Sequence, residues 1–346
     1  MKKNHTKRNI LIASFLVFLL LILWIGQQYT LIFRPQFQLE EKTYLYVDRD
    51  DTIDSIYQKI TAKANPKNLK GFQKICHYKK YDQHIRTGKY EILPDETPFQ
   101  LYRKLSRGHQ TPTKLVVNSP RNVEAVVGHI AKQLMIDSLE IAKQLFDEAV
   151  QAEMGYHEKS LMSFFIPNTY EVYWNIQVDD LLDRLQKEHD AFWNDARKNK
   201  ADQIGLTPYE VSILASIVDE ETVKNEEKAT VSGLYMNRLK QGMLLQADPT
   251  VKFALGDFTI QRITEQDLKI ESPYNTYLYA GLPPGPIRIP TIKGIDSVLN
   301  YERHNYLYMC AKEDFSGYHN FASNLAEHSR NARKYWNALN RRKIYR

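Results

Sequence analysis

The chain has 346 residues, 43% of them hydrophobic and 25% charged, which is long enough for two domains each with its own core. Its net charge of +6 comes from the two ends, Lys2, Lys3, Lys7 and Arg8 at the start and the acid-free stretch Arg330–Arg346 at the finish. The body between them is net acidic, which excludes a basic nucleic-acid footprint, and with only Cys76 and Cys310 present a cysteine-ligated metal is excluded as well.

An apolar run, Ile10 to Ile25, follows the basic start. It spans roughly 24 Å as a helix and reads as a retained membrane anchor, being longer than a usual signal-peptide core and lacking a small-x-small cleavage site. Basic residues before it, and Glu40, Glu41, Asp48, Asp50 and Asp51 after it, put the N-terminus in the cytoplasm and the rest of the chain outside. The expected division is a basic tail 1–9, an anchor 10–26, a linker 27–40, a small α+β subdomain 41–112 and a larger mixed α+β domain 113–346.

In the small subdomain, Thr43–Val47 and Gly88–Ile92 read as strands. A helix starts at the Asp51/Thr52 cap and runs to about Ala64, and Thr97-Pro98-Phe99-Gln100 opens a short one ended by Gly108. No catalytic constellation is found there, so the subdomain reads as a binding or spacing unit.

Beyond it, Lys114–Val117 reads as a strand, Val123–Gln133 and Ser138–Gln151 as helices, and the aromatic stretch Ser163–Trp174 as an extended wall broken at Pro167-Asn168. A helix over about Asp179–Lys198 precedes the stretch ILASIVDEET, Ile213–Thr222. Thr207 as N-cap, Pro208 at the first helical position and Glu210 completing a capping box fix its register. At about 100° per residue, Val211, Leu214, Ile217 and Val218 form one apolar stripe whose next position is Glu221, with Asp219 and Glu220 to the side and opposite. Burial and the helix C-terminus both push such a carboxyl upward, as a general acid requires. A rise of ~2 units corresponds to about 2.7 kcal/mol against the ionised form. The competing reading is a helix that frays before Glu221 and leaves a solvated acid.

A helix Asn225–Lys240 stopped by Gly242 comes next. Three rigid polar loops follow, Leu245–Thr250, Ser272–Tyr277 and Gly281–Ile287, whose Gln246, Asp248, Tyr274, Asn275 and Tyr277 suit a sugar with hydroxyl rims and apolar C–H faces. Tyr306–Cys310 reads as a strand, His319 as a pocket residue, and a last helix begins near Ser323. Cys76 and Cys310 read as unpaired core residues. The histidines His319 and His328 lack the carboxylates a metal site needs, so neither metal nor cofactor is expected.

ILASIVDEET, NRL at Asn237–Leu239, LQADPTV at Leu245–Val251, SPYNTY at Ser272–Tyr277, GLPPGPI at Gly281–Ile287 and HNF with a following His328 together resemble the endolytic murein transglycosylases, the YceG-like or MltG family. The likeness covers roughly Leu161–Asn331 and, by position and pattern only, the small subdomain, where the family has a LysM-like unit. The sequence departs from the family at Asn168, at Asn118-Ser119-Pro120 and at Asp219. The resemblance implies cleavage of the β-1,4 bond between N-acetylmuramic acid and N-acetylglucosamine within a peptidoglycan strand, leaving a 1,6-anhydro end. It makes Glu221 the single acid and then base, with Gln246, Asp248, Tyr274, Asn275, Tyr277 and His319 as substrate-binding candidates and peptidoglycan synthases as company. The rivals are a hydrolytic muramidase with Asp248 or Glu171 as second carboxylate, and a non-catalytic peptidoglycan-binding scaffold.

Overall fold

The computed structural model describes residues 2–260 and 263–342. The chain is mixed α+β and divides into two compact units, Met1–Lys114 with Glu171–Ile176, and Leu115–Tyr170 with Gln177–Arg346.

The first unit opens with helix α1 (Lys2–Phe33), of which Lys7–Phe33 is long and apolar enough to cross a membrane. Strand β1 (Thr43–Val47) leads to α2 (Ile53–Ala64), whose N-cap Thr52 and Ser55 satisfy each other's backbone N–H. Helix α3 (Lys70–Tyr78) then precedes β2 (Gly88–Ile92), which pairs antiparallel with β1, Thr43 opposite Ile92 and Val47 opposite Gly88. Helix α4 (Pro98–Arg107) is opened by a Thr97–Gln100 capping box and closed by Gly108 at φ 69°, a left-handed position that suits glycine. Leu45, Val47, Ile56, Phe72, Tyr90 and Leu101 fill the core. The returning segment brings Trp174 edge-on to Tyr46, ring centres 5.0 Å apart, and Asn175 Nδ2 donates to the Thr87 carbonyl at 3.1 Å.

In the second sheet β3 (Thr113–Val117) lies beside β4 (Asn168–Val172). Helix α5 (Val123–Ala131) follows β3. The single helix expected over Ser138–Gln151 is two, α6 (Ser138–Leu145) and α7 (Glu148–Met154), because Asp147 caps the second by accepting from the N–H groups of Ala149 and Val150. The stretch expected to be extended from Ser163 begins as a short helix, α8 (Leu161–Phe164), before β4. Asn194 likewise divides the helix expected over Asp179–Lys198 into α9 (Val178–Phe192) and α10 (Asp195–Gln203) by capping the Arg197 N–H.

Helix α11 (Pro208–Glu221) is the centre of this unit. It packs against α8, α10, α12 (Lys228–Lys240), α13 (Asp248–Leu255) and α14 (Ile292–Leu299), and every residue from Val211 to Asp219 is buried. The one-sided stripe is therefore overturned: neighbours surround the helix, so its polar residues are buried with its apolar ones. Helix α12 starts at Lys228 and not at Asn225, since Thr222–Glu227 forms a turn in which the Lys224 carbonyl accepts the Glu227 N–H. The antiparallel pair β5 (Tyr308–Ala311) and β6 (His319–Ala322) and helix α15 (Leu325–Arg341), capped by Asn324, complete the unit.

Candidate active site

Glu221 is the last helical residue of α11, with Thr222 as C-cap, so the helix does not fray before it. The carboxyl is held from α12: Tyr235 Oη donates to Glu221 Oε1 at 2.5 Å. Burial, above all, raises the Glu221 pKa to about 7. The Tyr235 hydrogen bond opposes the rise, the Asp248 charge adds to it, and His319 and Arg238 oppose it. The Tyr235 phenol is itself pushed well above its ordinary value by burial and by Glu221, so it remains a donor.

Of the three neighbouring acids, Glu221 is not alone in pointing inward. Asp219, 5% exposed, is buried more deeply and is paired with the Lys228 ammonium. It also accepts from the Thr291 N–H at 2.6 Å and the Thr291 hydroxyl at 2.9 Å, at the start of α14. The fit is close, since a Cβ at Gly294 would lie 2.6 Å from this carboxylate. Glu220 receives a two-pronged Arg121 guanidinium at 2.9 and 2.8 Å and Arg288 Nη1 at 2.9 Å. Both acids are engaged in anchoring α11, which fixes where Glu221 sits.

Glu221 faces a cavity of about 240 Å³ shared with Tyr235, Arg238, Gln246, Asp248, Tyr277 and His319. A larger cleft of about 480 Å³ lies by Tyr156, His189 and Tyr209 at the other end of α11, so volume does not single out the Glu221 cavity. The Asp248 carboxylate accepts from Tyr277 Oη at 2.5 Å. Gln246 holds a left-handed backbone at φ 50°, uncommon without glycine, with its N–H on the Thr276 carbonyl at 3.0 Å. His319 is oriented by Glu227, which accepts the His319 backbone N–H at 2.8 Å and faces Nδ1 at 3.0 Å. A carboxylate there draws the ring proton to Nδ1 and leaves Nε2 for another partner. Among the described residues no group of three metal-ligating side chains converges.

Gln246, Asp248, Tyr277 and His319 thus come together around Glu221, whereas Tyr274 and Asn275 lie outside the cavity lining. Asn275 is fully buried, and its amide nitrogen donates to the carbonyls of Leu268 and Ile270, both at 2.9 Å, so it shapes its loop. Tyr274 packs on Phe253, ring centres 4.7 Å apart, and approaches Gly285. Cys76 is buried, but Cys310, expected in the core, lines the cavity. Sequence reasoning missed Tyr235, Arg238 and Glu227 as site residues. Arg238 is buried and donates to the carbonyls of Leu307 at 2.7 Å and Leu245 at 2.6 Å, tying two cavity segments to α12. The arginine of Asn237-Arg238-Leu239 near a helix end was the available signal; nothing in the linear pattern pairs Tyr235 with Glu221.

The YceG-like family model matches residues 45–334. The chain is 28% identical to an endolytic murein transglycosylase of Bacillus subtilis (strain 168), over 58% of this chain and 53% of the relative. It is 24% identical to one of Streptococcus pneumoniae (strain ATCC BAA-255 / R6), over 97% of this chain and 66% of the relative. The chain thus spans between about half and two thirds of the length of these curated relatives. A crystal structure of a YceG-like protein from Listeria monocytogenes superposes with a TM-score of 0.58 at 24% identity, covering 84% of this chain and 99% of that one, a likeness of fold.

Proposed function

The chain belongs to the YceG-like family, and from that premise we propose that it cleaves peptidoglycan glycan strands internally as a lytic transglycosylase with Glu221 as its acid and base. One observation carries the reading: a carboxyl raised to about 7 faces the cavity and is held by a phenol. The names of the relatives from B. subtilis and S. pneumoniae support the substrate class.

In this mechanism protonated Glu221 donates to the glycosidic oxygen between N-acetylmuramic acid and N-acetylglucosamine as the bond to the anomeric carbon breaks. The muramyl 6-hydroxyl oxygen bonds to that carbon, and its proton passes to the Glu221 carboxylate, which restores the acid. No water is consumed and the product is a 1,6-anhydro end. An intramolecular nucleophile reaches effective molarities of ~10⁵ M or more, so no second carboxylate is needed to activate water. Tyr235 keeps Oε1 occupied and leaves Oε2 for the proton transfer. Gln246, Asp248, Tyr277 and His319 contact the glycan.

A hydrolytic muramidase is the second reading, because Asp248 shares the cavity with Glu221. Glu171 belongs to the other unit and is absent from the cavity lining. The test is mass spectrometry of purified glycan strands after incubation with the protein and with Glu221→Gln. Anhydro ends from the unaltered chain alone support transglycosylation. Reducing ends would establish hydrolysis, and binding without cleavage by either protein would leave a scaffold.

On the same reading α1 is a single-pass anchor in the plasma membrane with a cytoplasmic N-terminus, supported by Lys2, Lys3, Lys7 and Arg8 ahead of the apolar run. The β-α-α-β order from β1 to β2 supports a LysM-like, glycan-holding role for the small unit. Synthases that build the strands are the expected protein partners.

A further inference from the structure

Helix α1 continues without a break to Phe33, and its last turns are built into the small unit. Lys74 Nζ of α3 donates to Gln28 Oε1 at 2.5 Å, a Cβ at Gly71 would meet the Leu31 backbone oxygen at 2.0 Å, and the Phe33 and Phe99 ring centres are 5.3 Å apart. Helix α3 therefore lies directly against residues 28–31 of α1.

The bilayer fixes the depth at which that contact falls. A hydrocarbon core of about 30 Å takes roughly twenty residues of helix, which counted from Ile10 ends near Tyr29. Residues 28–31 then stand at the boundary between hydrocarbon and headgroups, and α3 beside them is held at headgroup level. The segment 63–80 that contains α3 carries Lys63, Lys67, Lys70, Lys74, Lys79 and Lys80 and no aspartate or glutamate. All six lysines are exposed, and Tyr78, 80% exposed, stands beside Lys79.

We infer that this lysine-rich segment of the small unit is a docking surface for anionic lipid headgroups of the leaflet at which α1 ends. A tethered unit would otherwise swing on its anchor; here the rigid helix presents the lysines to the phosphates, and the phosphates hold the unit flat on the bilayer. The inference rests on α1 crossing the membrane.

The test uses the chain reconstituted into vesicles of phosphatidylcholine with phosphatidylglycerol, and measures by spin resonance the fraction of spin-labelled phosphatidylglycerol and phosphatidylcholine immobilised at the protein. One lysine near an anionic surface contributes roughly fivefold in affinity, so the expected preference for phosphatidylglycerol is roughly fivefold at low salt. It should fall in a Lys67→Gln, Lys70→Gln, Lys74→Gln variant and persist when the same positions are arginine. The N-terminal basic cluster and Lys63, Lys79 and Lys80 are unchanged throughout, so the difference between variants reports Lys67, Lys70 and Lys74 alone. Equal preference in the unaltered and glutamine chains would overturn the inference. Release of the unaltered chain from vesicles by alkaline carbonate would instead show that the anchor reading had failed.

Discussion

Replacing Tyr235 with phenylalanine isolates the one hydrogen bond that holds the proposed acid. The ring is 2% exposed and the change removes a single oxygen, so the packing of α12 on α11 is retained. A hydrogen bond to a charged group contributes roughly 1.5–3 kcal/mol, and a pKa unit corresponds to 1.36 kcal/mol. Because Tyr235 stabilises the ionised carboxylate, its loss raises the Glu221 pKa, by about one to two units. The acid must be protonated to act, so the alkaline limb of activity, expected at about pH 7 in the unaltered chain, moves up to about pH 8–9. The maximal rate falls because the carboxyl loses its orientation. The assay is the initial rate of anhydro-end release, read by mass spectrometry from pH 5 to pH 10. A limb that stays in place or moves downward would refute the assigned role of Tyr235.

Glu221→Gln should stabilise the fold in alkali. The folded-state pKa is raised from 4.5 to about 7, so the folded chain binds more protons in that window and stability is lost as pH rises through it; the amide escapes that loss. The gain is at most about 3 kcal/mol at pH 8.5 and absent below pH 4 in urea unfolding, and no gain in alkali would count against a raised pKa. Asp248→Asn removes a charge that raises the Glu221 pKa, so the alkaline limb should move to lower pH with anhydro products retained. Loss of all cleavage would instead favour a second catalytic carboxylate. Lys228→Met leaves Asp219 buried without its cation and should cost about 3–5 kcal/mol in thermal or urea unfolding; a cost below about 1 kcal/mol would show the pair to be solvated.

Local chemistry made much of the fold readable. The Thr52, Thr97 and Thr207 caps, the Gly108 stop and the strands Thr43–Val47 and Gly88–Ile92 were legible because each depends on residues within a few positions of one another. The breaks at Asp147 and Asn194 escaped, since an aspartate or asparagine on a polar helix face looks the same whether it faces water or caps the next helix. Asp219 was misplaced for a different reason: the stripe argument assumes one buried face, and α11 is enclosed by five helices. The members of the candidate cavity were legible where one residue type suited the expected chemistry, as for Glu221, Asp248 and His319, which line it together. They were illegible where a role depends on a fold-made pairing, as for Tyr235 with Glu221 and Glu227 with His319.

Asp219 and Glu221 are two carboxyl groups on one helix, two residues apart, and their partners divide the work between them. Asp219 is given a lysine, a backbone N–H and a hydroxyl, so its negative charge is compensated where it is buried. Glu221 is buried with one neutral phenol and a like charge at Asp248, and His319 and Arg238 only partly offset that burial, so its proton is held to about pH 7. The first arrangement locks α11 to α12 and α14, and the rigidity it confers keeps the second carboxyl at the cavity without supplying the cation that would strip its proton. Pairs of titratable groups set in contrasting environments are how a single element serves both structure and acid–base chemistry. Here the contrast arises because α11 is enclosed through Asp219 and reaches the cavity at Glu221.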